Sequence, residues 1–401
     1  MPNAAKLSAK PKSKRDSLAH ALHLLEKLPL VDGHNDLPWV IRADRAARGD
    51  VRAYDLTRVH QETDTDIPRL REGRVSAQFF AAYLPTNIAN PGRVTLEQID
   101  VVLQMEAAHP DVFLPARRAS DIARAKRLGK IACFITVEGG VGLENSLAPL
   151  RVWNAAGVRL MTLCHNETLD WVDSATDEKR HGGLTGFGRA VVSELNRLGM
   201  IVDSAHVSHA AMRQVLDVSA APVVMSHSNA TTLCNHPRNV PDDVLKRLKG
   251  NGGLIMATFV PAFISQRNRD WWKPLQDSFG KAVAGLDVHN EVPVHERQRG
   301  ERPRATLEQC CDHIDYLAQT AGIDHVGIGS DFYGGPSPLG LENVSRFPHL
   351  LAELVARGWS DASIAKIASG NFTRMFKAVE RVGKELRKVK APLVGRLEDF
   401  N

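Results

Sequence analysis

Cysteine is scarce in this chain: five residues in 401, an odd set without the CxxC spacing of redox or structural zinc motifs. Cys133 and Cys164 sit in apolar runs, where a buried thiol is the default. This usage fits a reducing compartment, and the expected location is cytoplasmic. Long apolar runs are missing too, so no transmembrane span is expected. Residues 18–30 are interrupted by His20, His23, Glu26 and Lys27, which leaves no continuous signal-peptide core. Leu18, Leu22, Leu25 and Leu28 instead share one helical face, and a basic start leaves a mitochondrial-type presequence as the alternative. Residues 380–401 are too polar for a lipid-anchor signal. Charge of one sign is also in short supply: the net +5 is local, because Lys6, Lys10, Lys12, Lys14 and Arg15 fall in the first fifteen residues, which hold no Asp or Glu. A nucleic-acid reader needs its cations on the folded domain, so neither nucleic acid nor membrane is expected as a partner. Several catalytic signatures are absent as well: there is no HExxH helix, no GxSxG elbow, no GxGxxG and no Walker lysine loop.

What is present is a repeated order of short apolar run, turn and amphipathic segment. Strands are expected at 30–33, 77–83, 131–137, 158–163, 200–204, 223–226, 254–259 and 326–330. Helices are expected between them at 147–156, 188–198, 210–217, 242–249 and 306–321, the last opening with Thr306 and Gln309 in a capping-box pattern. Eight near-continuous apolar strands alternating with helices suggest a parallel sheet closed as a (β/α)8 barrel, with a doubly wound open sheet as the alternative. Long connections at 38–76 and 84–130 blur the repeat. Loops at 166–187 and 260–304 follow strands four and seven and are expected to wall a substrate site. The expected organisation is a basic tail with a short amphipathic helix at 1–29, one barrel domain at 30–379 and a polar tail at 380–401.

The chemistry stands at the C-terminal ends of those strands: His34 and Asp36 after the first, Glu138 after the third, His165, His206 and His227 after the fourth to sixth, and Asp331 after the eighth. In a parallel barrel these ends converge on one mouth. His34 and Asp36, at i and i+2, point to the same side of an extended chain. Imidazole and carboxylate suit Zn²⁺, and three imidazoles with two carboxylates hold two ions when one carboxylate bridges. Taken singly, Asp331 reads equally well as a turn residue and His227 as a polar residue near a helix start. Jointly, six strand ends bearing His, Asp or Glu are hard to obtain from turn chemistry, which favours Gly, Asn, Ser and Pro. His181 and His209 lack that placement and are expected to be solvated.

At these residues the chain resembles the membrane dipeptidase (renal dipeptidase) family of zinc peptidases, in the form of its soluble bacterial-type members. The matching stretches are VDGHNDLPW at 31–39, VEGG at 137–140, TLCHN at 162–166, ELNRLGMIVDSAHVS at 194–208, MSHSNA at 225–230, HPRNVPDDVL at 236–245 and GIGSDFYG at 327–334. The resemblance runs from about residue 30 to about 378 and implies a distorted TIM-like barrel of the metal-dependent amidohydrolase type with two zinc ions per chain. It implies His34 and Asp36 as ligands of the first zinc, Glu138 as the bridge, and His206 and His227 as ligands of the second. His165 would polarise the scissile carbonyl of a dipeptide, Asp331 would shuttle the proton of a metal-bridging hydroxide, and Arg238 would hold the substrate carboxylate. A structural alternative pairs Arg238 with Asp242 or Asp243. The pattern departs from the family after strand seven, where Phe259-Val260-Pro261-Ala262-Phe263 replaces an aromatic-rich wall. A homodimer is the family-level expectation, and an amidohydrolase acting on N-acyl amino acids or lactams is the alternative activity.

Overall fold

The structure, a computed structural model, describes residues 14–279 and 300–400. Lys6, Lys10 and Lys12 of the basic tail, and 280–299 of the second expected loop, lie outside the described residues.

Nine strands form one sheet: β1 (Val31–Asn35), β2 (Ala77–Tyr83), β3 (Phe113–Pro115), β4 (Ile131–Glu138), β5 (Val158–Thr162), β6 (Ile201–Asp203), β7 (Val224–Met225), β8 (Leu254–Ala257) and β9 (Val326–Ile328). The eight expected strands are all present and pair parallel in the order β1-β2-β4-β5-β6-β7-β8-β9, while the short β3 adds to β4. The ends of this path meet: Asn35 bridges Phe332, the Asp36 amide donates to the Phe332 carbonyl at 3.3 Å, and the Asp331 amide to the His34 carbonyl at 3.2 Å. The sheet is therefore a nearly closed eight-stranded barrel, not an open one.

Two apolar layers make it stable, and alternation along the strands assigns residues to each. On β2, Phe80 joins the cluster between strands and outer helices, whereas Phe79 joins a second cluster with Phe134, Leu160, Ile201, Val224, Leu254 and Met256. The helix Asn371–Val389 supplies Phe372, Met375, Phe376 and Val379 to that second cluster, with Phe79 stacked on Phe134 at 4.4 Å and edge-on to Phe372 at 4.8 Å. One end of the barrel is thus filled with hydrocarbon, and the polar side chains gather at the other.

The connections that blurred the repeat contain structure of their own: helices Leu37–Ala43, Val51–Tyr54, Ile67–Glu72, Pro91–Ala108 and Ser120–Arg127. Capping follows the local chemistry, with Asp50, Asp66, Thr185 and Ser208 each accepting from amides of the first turn, and Thr306 and Gln309 completing the expected capping box. Residues 166–187 are pinned by Asp173, whose carboxylate accepts from the amides of Arg180, His181 and Gly183.

Candidate metal centre

His34 lies on β1, with Asp36 just beyond it; Glu138 closes β4; His165, His206, His227 and Asp331 follow β5, β6, β7 and β9. Strand pairing sets them at one level, as when Glu138 stands opposite Tyr83 on one side and Thr162 on the other. All seven expected residues meet in three overlapping groups of potential ligands: His34, Glu138 and His227; Glu138, His165 and His206; and His34, Asp36 and Asp331. The other histidines named from the sequence stay apart: Nε2 of both His181 and His209 stands 2.9 Å from a backbone carbonyl, of Leu169 and Asn239 respectively.

Glu138 divides its two oxygens. Oε2 stands 3.3 Å from His34 Nε2, which is itself 3.3 Å from Asp36 Oδ1. Oε1 faces the other pair, 2.9 Å from His206 Nε2 and 3.3 Å from His227 Nε2. These approaches leave buried atoms without partners: His34 Nε2, His227 Nε2 and Asp36 Oδ1 make no hydrogen bond. Buried polar atoms are nearly always satisfied, so a cluster of unpartnered imidazole and carboxylate atoms aimed at one another has the donor chemistry of a cation site.

The model of the membrane dipeptidase family (peptidase family M19) matches residues 18–390. The chain belongs to the membrane dipeptidase family. Among relatives of this family, dipeptidase 3 of Mus musculus is 37% identical over 371 residues, which is 90% of this chain and 66% of the mouse protein. The chain thus spans just under two thirds of that relative's length. Dipeptidase ataJ of Aspergillus terreus is 37% identical over 400 residues, covering 91% of this chain and 88% of the fungal protein. Among solved structures, the probable dipeptidase PvdM from Pseudomonas aeruginosa superposes with a TM-score of 0.80 at 27% identity, over 92% of this chain and 99% of that one. A metallopeptidase from Rhodobacter sphaeroides, liganded with a phosphinate mimic of the dipeptide L-Ala-D-Ala, shares the fold at TM-score 0.73 and 23% identity, over 88% of this chain and 99% of that one.

The electrostatics of this family member separate the two sides of Glu138. Burial depresses the basicity of His34, but the carboxylates of Glu138 and Asp36 outweigh it and hold the ring well above the usual histidine range. His206 and His227 fall well below that range through burial, reinforced by neighbouring cationic groups that include Arg238. His165 is pushed down to about 3 by burial and by Arg238, so it is a neutral imidazole. Asp331 is raised well above the carboxylate range by burial, with the charges of Asp36 and Glu138 adding to the effect. His206 and Asp331 both have left-handed backbones, at φ 67° and 60°, which non-glycine residues adopt at a cost of roughly 1–3 kcal/mol.

Arg238 is 1% exposed and does not pair with Asp242 or Asp243. Asp243 is held by Arg213 at 2.7 Å, and Asp242 accepts from Thr232 and Tyr316. The Arg238 guanidinium donates instead to the His227 carbonyl at 3.2 Å and the Ser228 hydroxyl at 3.4 Å, and lies 5.3 Å from the Phe263 ring centroid. Its Nε has no partner.

Two residues beside the cluster were not among those expected from the sequence. Tyr83 ends β2 and meets the His165 ring edge-on at 4.7 Å, while burial and the charges of Glu138, Asp36 and Asp331 raise its phenol. Its signal was positional, since it occupies the strand end in register with Glu138. Asn166 places Oδ1 3.2 Å from His206 Nδ1. That contact joins two loops and has no signature in spacing.

Proposed function

We propose that this protein is a two-zinc dipeptidase acting on dipeptides with a free C-terminal carboxylate. The observation that carries the reading is the division of Glu138, one oxygen toward His34 and Asp36 and the other toward His206 and His227. These five residues would hold the ions, Glu138 touching both. Zinc bound there would supply a Lewis acid and would lower the pKa of water at the site.

The chain's own side chains provide the rest. His165, neutral through burial, can donate a hydrogen bond to the oxygen of the scissile carbonyl as charge develops there. Asp331, raised in the same cluster, suits a carboxyl group that accepts the proton of the attacking water and returns it to the departing amine. Arg238 offers a buried cation to the substrate carboxylate.

The alternative, an amidohydrolase on N-acyl amino acids or lactams, would use the same ligands. Metal analysis with a dipeptide-library screen separates the readings: the proposal expects close to two zinc ions per chain, activity lost on chelation and restored by zinc, and dipeptides preferred over N-acyl amino acids. One ion or none in active enzyme would refute the two-zinc centre. Glu138→Gln should reduce metal occupancy more than Asp331→Asn.

Two further expectations belong to this reading. The family resemblance supports a homodimer, which mass measurement in solution tests. All five cysteines are buried free thiols, which supports a reducing, cytoplasmic setting, and among the described residues no helix is long and apolar enough to cross a membrane.

A further inference from the structure

The three imidazoles nearest the Glu138 carboxylate are oriented by different means. His34 Nδ1 is buried without a hydrogen-bond partner, and His206 Nδ1 faces the amide oxygen of Asn166. His227 Nδ1 lies 2.7 Å from the hydroxyl of its own neighbour in sequence, Ser226, and that hydroxyl donates to Asp203 Oδ2 at 2.5 Å. His34 and His227 are fully buried, and His206 is 6% exposed.

Donor counting fixes the direction of this chain of hydrogen bonds. Asp203 also accepts from the Thr162 hydroxyl at 2.6 Å, the Ala205 amide at 2.9 Å and the Ser226 amide at 3.0 Å. Four donors converge on one side chain, which suits the acceptor-only carboxylate and leaves no acceptor for a carboxyl proton. The serine has one hydroxyl hydrogen, and Asp203 takes it. Only a lone pair of Ser226 Oγ then remains to face His227, so Nδ1 must carry the imidazole proton. Nε2, unpartnered and 3.3 Å from Glu138 Oε1, is left with its lone pair.

We infer that Asp203 and Ser226 are positioning residues that lock His227 in the tautomer presenting the Nε2 lone pair to the metal centre. The sequence places the serine beside its imidazole, and the pairing of β6 with β7 brings the carboxylate from the neighbouring strand. The other seam of the barrel repeats the Asp–Ser pairing without the relay. Asp32 accepts from the Ser330 amide and hydroxyl, both at 2.7 Å, and that hydroxyl turns otherwise to the His34 carbonyl at 3.2 Å. There the serine secures backbone. At Ser226 it secures a ring.

This inference rests on the two-zinc reading, and its test reports on each separately. Metal-free protein is titrated with zinc against a chromophoric chelator, for wild type, Ser226→Ala and Asp203→Asn. Wild type should take up two ions. Ser226→Ala deletes one oxygen and should weaken one of the two binding steps by about 10- to 100-fold, the usual effect of losing an outer hydrogen bond to a ligating histidine, while sparing the other. Asp203→Asn can donate to Ser226 and turn the hydroxyl toward Nδ1, so its loss should be at least as large. Histidine ¹⁵N spectra of metal-free protein, with His227 assigned by the resonance lost in His227→Gln, should show the Nδ1–H form in wild type and a changed tautomer balance in Ser226→Ala. Unchanged affinities, or equal weakening of both steps, would overturn the positioning role, as would an Nε2–H tautomer in wild type. Uptake of fewer than two ions by wild type would overturn the two-zinc reading itself while leaving the tautomer result to stand on the spectra.

Discussion

Arg238 offers the sharpest test of why such an enzyme would stop at dipeptides. Its guanidinium is 1% exposed, its Nε is unpartnered, and its hydrogen bonds go to one carbonyl and one hydroxyl rather than to a carboxylate. Burial lowers its basicity, countered by the more distant charges of Asp331, Glu138 and Asp203. A buried cation in that state gains most from an incoming anion, and a bidentate pair with the substrate carboxylate would fix the distance from that group to the scissile bond. Leaving one member of a buried ion pair alone costs about 3–5 kcal/mol, and each 1.4 kcal/mol is a factor of ten. Amidating the C-terminus of a good dipeptide, or extending it by one residue, should therefore lower kcat/KM by about 10²-fold or more. Arg238→Met keeps bulk and removes charge, and should bring the ratio between free and amidated substrate toward one while zinc content, measured in parallel, is retained. Equal hydrolysis of a dipeptide, its amide and a tripeptide by the wild-type enzyme would refute the reasoning and move the assignment toward a general amidohydrolase.

Other consequences can be measured directly. Asp331→Asn should keep its zinc and lower kcat by at least about 10²-fold, and near-normal turnover in the metal-replete variant would remove Asp331 from proton transfer. His165→Ala should lose about 10²–10³-fold in kcat with its metals in place, the usual effect of one missing oxyanion donor. Gly329→Ala should lower the melting temperature sharply, because a Cβ there would overlap the Ser226 carbonyl, which is backbone and cannot swing away. A melting curve like that of wild type would show that the chain after β9 can move away from the end of β7 at little cost. His313 is 1% exposed, with Nδ1 accepting from the Ala230 amide and burial pushing its pKa down to about 4 from the ordinary 6.5. The unfolded chain therefore binds the extra proton first, so this residue's contribution is complete above pH 6.5 and declines toward pH 4 by roughly 3 kcal/mol. Denaturant unfolding of metal-free His313→Gln should show a flatter pH dependence than wild type across that window, and parallel curves would refute the assignment.

Much of this protein is legible in its sequence, for a physical reason. Strands buried on both faces need continuous apolar runs, so all eight barrel strands stood out, and a parallel barrel brings their C-terminal ends to one mouth whatever the loops do. Hence His34, Asp36, Glu138, His165, His206, His227 and Asp331 could be named together from strand ends alone. Tertiary structure decided what depends on which strands are neighbours and on where side-chain atoms point. Closure rests on the hydrogen bonds between the chain around His34 and that around Phe332, segments separated by most of the sequence. Arg238 turns to the His227 carbonyl and the Ser228 hydroxyl while Arg213, from another helix, holds Asp243. The division of the Glu138 oxygens, the Tyr83 contact and the Asp203–Ser226–His227 relay are set by distances of a few ångströms between strands, and spacing along a chain carries no record of them.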